Sequence, residues 1–284
     1  MQVLLTALSQ VAVLAPIAMG LVLVYRIGGV INFAAGATCV VSGYVYVALG
    51  GGILGAIGTL VIGGLIGVVT FAVSVLPGKV RGTPPVAMTL ATLGFALILQ
   101  MVGDEVFGTS PRSGPTWVSG SVSLAGTNVS VQRLLVIAFS LLSVVIVVAL
   151  FDRTLFGRGM EASANDEELV RLYGHRTVNF HFVTWFVGGA CSALGGVMQA
   201  SLAAISETAA MPLMITALVG VVFGGIASVR ASVLGVTVVC LVGATVERIV
   251  EMQIPLTPAL VLLLVGLAVR PAGIFASQKT GERV

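Results

Sequence analysis

Charged residues are scarce in this sequence. Only 9% of its 284 residues are Asp, Glu, Lys or Arg and 57% are hydrophobic, whereas about 25% of the residues of a soluble domain are charged. Together with a mean hydropathy of +1.12, this composition excludes an ordinary soluble domain and indicates an integral membrane protein. The apolar runs do not alternate with polar residues as the strands of an outer-membrane barrel do, so they predict an all-α fold.

Catalytic and nucleotide-binding motifs are also absent from the sequence. The only Gly-Lys pair, Gly78-Lys79, lies between Pro77 and Val80, so there is no GxxxxGK(S/T) loop with which to bind ATP. Neither a GxSxG nor an HExxH sequence occurs, which removes the usual signatures of serine hydrolases and zinc proteases. We therefore expect that this chain is not an enzyme.

Cysteine and histidine are too few and too dispersed to suggest a metal site. Cys39, Cys191 and Cys240 all lie within apolar runs, where a cysteine is usually a small packing residue. His175 and His181 have no cysteine near them in the sequence. The pattern predicts no bound metal and gives no indication of a redox role.

The chain contains nine apolar runs of a length that suits membrane crossing, which takes about 20 residues. They cover residues 3–24, 30–49, 53–76, 84–103, 132–151, 182–204, 212–229, 232–250 and 256–270. Little more than Arg26, Gly28 and Gly29 separates the first two runs, and the run 212–229 is short and interrupted by glycine. Either region is therefore a candidate for a broken or re-entrant helix. The prediction is a polytopic transmembrane helical bundle of eight or nine spans, forming a single domain over residues 1–284.

Basic residues indicate how the bundle is oriented. If residues 152–181 are cytoplasmic, nine spans leave only Arg112, Arg133 and Arg248 on the outer side and place eleven basic residues inside. Those eleven are Arg26, Lys79, Arg81, Arg153, Arg158, Arg171, Arg176, Arg230, Arg270, Lys279 and Arg283. This bias predicts a cytoplasmic C-terminus. It also predicts that a loop over about 104–131, rich in Gly, Ser and Thr, lies outside with little regular structure.

Much of the charge is concentrated in residues 152–181, which we call the charged segment. Five acids and four arginines occur there, so this segment cannot lie in hydrocarbon. It has no Gly or Pro between Met160 and Tyr173, and Glu167 and Arg171 are spaced as an i, i+4 ion pair. The pattern predicts one short surface helix that is closed by Gly174. The segment is either a docking element for a partner protein or a solvated connector.

The polar residues inside the apolar runs are few and neutral. No carboxylate lies at the middle of a run, so the groups that a proton relay or an ion-coupled carrier would use are missing. Asn32 follows Gly28 and Gly29 at the start of a run, where a broken helix would expose its backbone to a cavity. Asn32 therefore either borders a solute pathway or serves as a helix cap or a tie between helices.

Four stretches of the sequence carry a resemblance to a known family. They are LVYRIGGVINFAAG at 23–36, TLGFALILQ at 92–100, GRGMEASANDEELVRLYG at 157–174 and VVFGGIASVRASVLG at 221–235, with RPAGIF at 270–275. Together they resemble the permease subunits of ATP-binding-cassette (ABC) importers of the branched-chain amino acid type, which lie in the bacterial inner (plasma) membrane. Ala35-Gly36-Ala37 stands where that family has His-Gly-Glu, so two polar side chains beside the implied pathway are missing.

This resemblance implies a function and a set of partners. It implies a transmembrane permease that forms the pathway for a small polar solute: a branched-chain amino acid, or a related amide, urea or organic acid. The implied partners are a second homologous permease subunit, two cytoplasmic ATPase subunits that bind the ATP, an external solute-binding protein and the lipid bilayer. No cofactor and no nucleic acid is expected. The alternatives are a stand-alone facilitator or channel for a small neutral solute, and a membrane scaffold that transports nothing.

The resemblance also implies roles for individual residues. It places Asn32, Thr92 and Gln100 on the translocation pathway. Coupling to the ATPase falls to residues of the charged segment, namely Arg158, Glu161, Ala162, Ala164, Asp166, Leu169, Leu172 and Gly174. Helix packing is expected of Gly28, Gly29, Gly94, Gly224 and Gly225.

Overall fold

The computed structural model describes residues 2–124, 127–174, 177–226, 228–250, 256–269 and 274–275, and the chain in these ranges is predominantly helical. The helices and strands are α1 Gln2–Gly28, α2 Ala34–Ala48, α3 Gly52–Thr70, a π-helical turn Phe71–Val75, α4 Leu76–Val80, α5 Pro85–Phe107, β1 Ser121–Leu124, β2 Thr127–Ser130, α6 Val131–Arg153, α7 Leu155–Asn165, α8 Glu167–Leu172, α9 Thr177–Leu202, a 3-10 turn Glu207–Ala209, α10 Ala210–Gly224, α11 Val229–Val250 and α12 Leu256–Val269. Each of the nine apolar runs contains one apolar helix.

Within the described residues, seven helical stretches are long and apolar enough to cross a membrane. One of them is the continuous stretch Gly52–Val80, in which α3, the π-helical turn and α4 follow one another without interruption. The helices α2 and α12 are apolar but shorter. The structure thus confirms the predicted fold class, a polytopic bundle of membrane helices.

The first two helices are separated by a short non-helical stretch, residues 29–33, which we call the break. Gly29 ends α1 with a φ of +63°, in the left-handed region that glycine adopts without a steric penalty. Helix α2 begins only at Ala34 and has 15 residues, which gives a length of about 22 Å, less than the roughly 30 Å of hydrocarbon in a bilayer. A broken helix is therefore found in one of the two regions where the sequence predicted it.

Helix α9 lies at the centre of the bundle and packs closely against α1, α2 and α3. The contacts run through glycines, because a Cβ built on Gly189 would lie 2.2 Å from the carbonyl oxygen of Gly63 in α3. One on Gly196 would lie 2.1 Å from the carbonyl oxygen of Cys39 in α2, and Gly20 of α1 meets the backbone of α9 in the same way. Small residues let membrane helices approach to backbone contact, where dispersion forces hold them together.

The predicted packing glycines behave differently from one another. Gly224 packs against the backbone of α11, with 2.1 Å between a built Cβ and a carbonyl oxygen, and Gly225 ends α10 with a φ of +122°. A Cβ built on Gly28 would lie 3.9 Å from the His181 ring of α9, and Gly29 forms the turn of the break with its positive φ. Gly94 is exposed on α5, and a Cβ there would meet no atom within 4 Å. No described residue of this chain packs against Gly94, and its predicted role in helix packing stays a prediction.

The charged segment contains two helices, where the sequence predicted one from Met160 to Tyr173. Helix α7 ends at Asn165 and α8 begins at Glu167, because Asp166 adopts an extended backbone conformation and its Oδ1 accepts a hydrogen bond from the backbone N–H of Leu169 at 2.8 Å. Aspartate favours this N-cap position over a helix interior, since its carboxylate satisfies a free backbone donor there. The predicted end at Gly174 is confirmed by its φ of +82°.

The loop between α5 and α6 contains a β-hairpin, whereas the sequence predicted little regular structure. Strands β1 and β2 are antiparallel, with Ser121 opposite Ser130 and Val122 opposite Val129. The sequences SVSL and TNVS mix polar with β-branched residues in a short alternating pattern, which is the signal that was missed. Trp117, earlier in the loop, donates from Nε1 to the Tyr46 hydroxyl at 2.6 Å and so ties the loop to α2.

The backbone contacts of α9 lead to a prediction about stability. Gly189→Ala should destabilise the protein by about 1–3 kcal/mol, since its methyl group would meet backbone atoms that cannot rotate away. The midpoint of denaturation in mild detergent measures this. Gly243→Ala is the matched control, because that glycine also lies in a helix and its built Cβ meets nothing within 4 Å. Equal stability of the two variants would contradict the packing that we describe.

Candidate functional site

Two polar regions stand out in an otherwise apolar bundle. The first is the break at residues 29–33, with the threonines of α5 that bind it. The second, which we call the polar cluster, consists of Lys79, Glu167, Arg171, Thr177 and His181 and joins the charged segment to the ends of two long helices.

Threonine hydroxyls of α5 hold the backbone of the break in place. Thr89 Oγ1 accepts from the backbone N–H of Ile31 at 3.3 Å, and Thr92 Oγ1 accepts from that of Phe33 at 3.0 Å. Thr92 Oγ1 also lies 3.1 Å from the Ile31 carbonyl oxygen, to which it is able to donate. Backbone groups in a non-helical stretch lack the partners that a helix provides, and these hydroxyls supply them.

Asn32 lies buried in the break, with only 4% of its surface exposed. Its side-chain Oδ1 accepts from the backbone N–H of Ala34, the first residue of α2, at 3.1 Å and so satisfies a donor that the helix leaves free. Asn32 and Thr92, two of the three predicted pathway residues, are thus brought together at the break. Gln100 is not there: it lies two turns farther along α5, where its Nε2 is 3.4 Å from the carbonyl oxygen of Glu207. Their predicted role on a pathway stays a prediction.

The charged segment presents one face to the bundle and another to its surroundings. Met160, Ser163 and Val170 are buried against the bundle. All eight residues that the sequence assigned to coupling are exposed: Arg158, Glu161, Ala162, Ala164, Asp166, Leu169, Leu172 and Gly174. Leu172 is 80% exposed and Tyr173, beside it, is 77% exposed. Large apolar side chains that are this exposed outside the membrane-crossing helices are typical of a surface that binds another protein.

Glu167 is the centre of the polar cluster and accepts hydrogen bonds from three residues. Lys79 Nζ lies 3.1 Å from its Oε2, while Arg171 Nη2 and Thr177 Oγ1 lie 2.8 and 3.0 Å from its Oε1. Lys79 belongs to α4, Thr177 begins α9, and Arg171 shares α8 with Glu167. One carboxylate therefore connects α8 to two separate membrane helices.

The partners of Glu167 keep it ionised. Burial alone would raise the pKa of its carboxyl, but the hydrogen bond and positive charge of Lys79, with the hydrogen bonds of Thr177 and Arg171, lower the pKa to about 2. The reference value for glutamate is 4.5. The ionised form thus stabilises the fold above that pH, and the stabilisation is lost as the pH falls from about 4.5 to about 2. At neutral pH Glu167 is an anion.

His181 lies beneath this carboxylate and is 1% exposed. Its Nε2 is 2.6 Å from Lys79 Nζ. An ammonium group only donates, so Nε2 must accept and the ring proton must be on Nδ1. Nδ1 is buried and has no hydrogen-bond partner among the described residues, which costs about 1–3 kcal/mol. Stability alone therefore does not explain a histidine at this position.

The π-helical turn of the Gly52–Val80 stretch touches the same histidine. The ring of Phe71 stacks on His181 with 5.5 Å between centroids and an interplanar angle of 5°. Phe71 also meets Phe182 edge-on at 5.0 Å and Trp185 at 5.7 Å. Turns of this kind occur frequently at functional sites in helices. The beginning of α9 is thus fixed to this stretch both by aromatic rings and by Lys79.

Sequence reasoning did not find the polar cluster. Lys79 and Glu167 are 88 residues apart, and Lys79 and His181 are 102 residues apart, so no local spacing brings them together. Lys79 and Lys279 are the only lysines in the chain, and the position of Lys79 at the end of an apolar run was the one available signal. No group of three or more potential metal-binding side chains occurs in the described part of the chain.

Comparison with known proteins adds to this geometry. A family model for the permease component of branched-chain amino acid transport systems matches residues 3–269. The chain is 23% identical over 275 residues to the high-affinity branched-chain amino acid transport system permease protein LivH of Salmonella typhimurium, covering 91% of this chain and 89% of LivH. It is 25% identical over 298 residues to the corresponding permease protein BraD of Pseudomonas aeruginosa, covering 96% of this chain and 95% of BraD.

A solved structure shares the fold. The structure of PsaBC from Streptococcus pneumoniae in complex with Fab superposes with a TM-score of 0.51, covering 94% of this chain and 91% of the matched chain. The two sequences are only 12% identical, so this likeness concerns the arrangement of the helices alone.

The hydrogen bonds of the break lead to a prediction. Thr92→Val keeps the shape of the side chain but leaves the backbone N–H of Phe33 without its acceptor, so it should destabilise the protein by about 1–3 kcal/mol. Denaturation in mild detergent measures the change. Thr245→Val is the control, because the Thr245 hydroxyl bonds only the Leu241 carbonyl one turn earlier on its own exposed helix face. A smaller loss for Thr92→Val than for Thr245→Val would contradict the assignment.

Proposed function

The chain belongs to the family of permease components of branched-chain amino acid transport systems, and from this membership we propose that it forms the translocation pathway of an ATP-driven importer. It is a permease subunit of the inner membrane. We propose further that the solute is a branched-chain amino acid or a related small amide, urea or organic acid, that an external binding protein delivers it, and that two ATPase subunits and a second permease complete the assembly.

The exposed apolar face of the charged segment is the observation that carries this proposal. Leu169 is 48% exposed, Leu172 80% and Tyr173 77%, and all three lie at or just after α8, outside the helices that cross the membrane. The chain has no ATP-binding loop of its own, so work from ATP must reach it through contact with another subunit. A partner that buries these side chains would gain affinity from packing, and a buried anchor of this kind can be worth 2 kcal/mol or more.

The exposed charges of the segment have a lesser role in this contact. Glu161 pairs with Arg26 at 3.3 Å, but their side chains are 63% and 32% exposed, and such pairs contribute about 0–1 kcal/mol. We therefore assign the binding energy to the apolar side chains and to small residues such as Ala162 and Ala164, with charge setting the orientation of approach. Asp166 and Gly174 fix the two ends of α8 on which the anchors stand.

The pathway is the second part of the proposal. We place it beside the break and along α5, where Asn32 and Thr92 gather at one level and Gln100 lies two turns away. These groups are neutral, and backbone that is not part of a helix supplies further polar atoms, as it does at the sites of other transporters built on broken helices. Such a neutral lining suits a small solute that is zwitterionic or uncharged.

The face that α5 turns away from the bundle fits a second permease. Leu90, Leu97 and Met101 are 60%, 58% and 72% exposed along this helix, and Gly94 lies among them with open space around it. A small residue in the middle of an exposed apolar face lets a second helix approach closely. A homologous permease seated there would pack against α5 on the face opposite the buried Thr92.

The docking contact generates a prediction. Ala162→Arg should release the ATPase subunits or uncouple ATP hydrolysis from uptake, because a long charged side chain would stand where the partner packs. Ala162 is the better choice than Ala164, which also borders a small cavity beside Arg26 where an arginine would strain the fold. Glu168→Gln is the control and should be nearly silent, since this exposed side chain has no salt bridge among the described residues. ATPase activity and uptake are measured together in reconstituted vesicles that contain the binding protein. Normal coupled uptake by Ala162→Arg would refute the docking surface.

A further inference from the structure

We propose that Lys79, Glu167 and His181 form a polar joint that carries movement of α8 into two membrane helices at once. This inference rests on the proposed function, since it assumes that an ATPase moves the segment. It adds the residues that transmit the movement, which are different from those that bind the partner. They act by holding other elements in position and touch no solute.

The three residues of the joint lie on three different helices, close to the end of each. Glu167 opens α8, the helix that carries the exposed anchors Leu169 and Leu172. Lys79 lies next to the last residue of the continuous stretch Gly52–Val80, and His181 lies in the first turns of α9. A displacement of α8 therefore reaches both helices at their ends, where a small force produces the largest tilt.

The carboxylate of Glu167 is held in one orientation by its hydrogen-bond donors. Three donors fix its two oxygens from three directions, at 2.8, 3.0 and 3.1 Å. Arg171 is itself held, because its Nε donates to Thr177 Oγ1 at 3.1 Å. Among the described residues, a second ion pair, Arg26 with Glu161, also links the segment to the bundle, but it is a single bond of 3.3 Å between side chains that are more exposed than Lys79 and Glu167. Only the joint is connected well enough to transmit a displacement.

His181 links α9 to the Gly52–Val80 stretch in two ways. A phenylalanine at this position would stack on Phe71 equally well and would leave no unpaired Nδ1, but it could not accept from Lys79. The histidine thus adds a polar link of 2.6 Å to an aromatic contact of 5.5 Å. Phe71 begins the π-helical turn and Lys79 follows its end, so His181 contacts the Gly52–Val80 stretch on both sides of the turn. These two contacts make the beginning of α9 and the end of that stretch move together.

Movement of α9 also reaches the proposed pathway. Gly196 of α9 meets the backbone of Cys39 in α2 so closely that a Cβ would lie 2.1 Å from a carbonyl oxygen. Packed interiors shift as units and do not deform continuously. A tilt of α9 is therefore passed on to α2 and to the break from which α2 begins.

The test compares Glu167→Gln with its neighbour, Glu168→Gln. The first variant keeps the size of the side chain and removes the charge on which Lys79 and Arg171 converge; the second changes an exposed side chain with no salt bridge among the described residues. In vesicles, Glu167→Gln should lower the leucine taken up per ATP hydrolysed by about tenfold, within the usual range for coupling between sites, while ATPase subunits still co-purify at the wild-type level. Glu168→Gln should leave the ratio unchanged. An unchanged ratio in Glu167→Gln would overturn the joint, and so would loss of co-purification, which would make Glu167 a support of the docking surface only.

A double-mutant cycle with Lys79→Met separates a joint from two independent effects. If the two residues act through one contact, the double variant should be no worse than either single variant, whereas independent effects would multiply. Multiplication of the two losses would contradict the joint.

A distance measurement checks the same idea without any solute. Spin labels on Val80→Cys and Glu168→Cys, two exposed positions outside the proposed docking anchors, should keep the same separation in nucleotide-free and nucleotide-bound complexes of the otherwise wild-type chain. With Glu167→Gln the separation should change when nucleotide binds. The native cysteines are buried and do not take up label. A change in the otherwise wild-type chain, or none in the variant, would overturn the joint. If the wild-type chain captures no ATPase subunit, the proposed function itself has failed, which is a different result.

Discussion

The structure depends on backbone contact between α9 and its neighbours. Gly189 and Gly196 bring the helix within reach of carbonyl oxygens of α3 and α2, and Gly20 of α1 does the same from its own side. In a bilayer the hydrophobic effect does not hold helices together, so association depends on close packing and on polar contacts between helices. A bundle joined in this way passes a displacement of one helix to three others, which is the property that a transport subunit needs.

The polar regions lie where the packing leaves backbone or charge to be satisfied. The break frees the backbone of Ile31 and Phe33, and the hydroxyls of Thr89 and Thr92 bind it. At the other region, Glu167 meets Lys79 at the end of a long helix. Both regions adjoin α9, because His181 of the polar cluster belongs to that helix and Val30 of the break lies in the same buried apolar cluster as Trp185 of α9. The proposed pathway and the proposed joint are therefore connected through one central helix.

The sequence predicted the helices well and the polar contacts poorly, for a physical reason. Apolar runs are a local signal, so each run contains a helix, and Gly174 ended α8 as expected. The sequence predicted one helix across Asp166 because the residues around it favour helix. In the fold, the preference of Asp166 for an N-cap position prevails and divides the segment into α7 and α8. Lys79, Glu167 and His181 are distant in sequence, so no local pattern predicts that they meet. Gly94 has the sequence context of a packing glycine, but a Cβ built on it meets no described atom within 4 Å.

The central claim is that the charged segment receives the work of ATP hydrolysis by direct contact. A photo-activated cross-linker in place of Leu172, which is 80% exposed, tests it in intact cells. The account predicts a covalent adduct with an ATP-hydrolysing subunit, and none from the same cross-linker in place of Leu54, which is 86% exposed at the far end of the Gly52–Val80 stretch. Adducts from Leu54 but not from Leu172, or adducts with lipid alone at both positions, would contradict it.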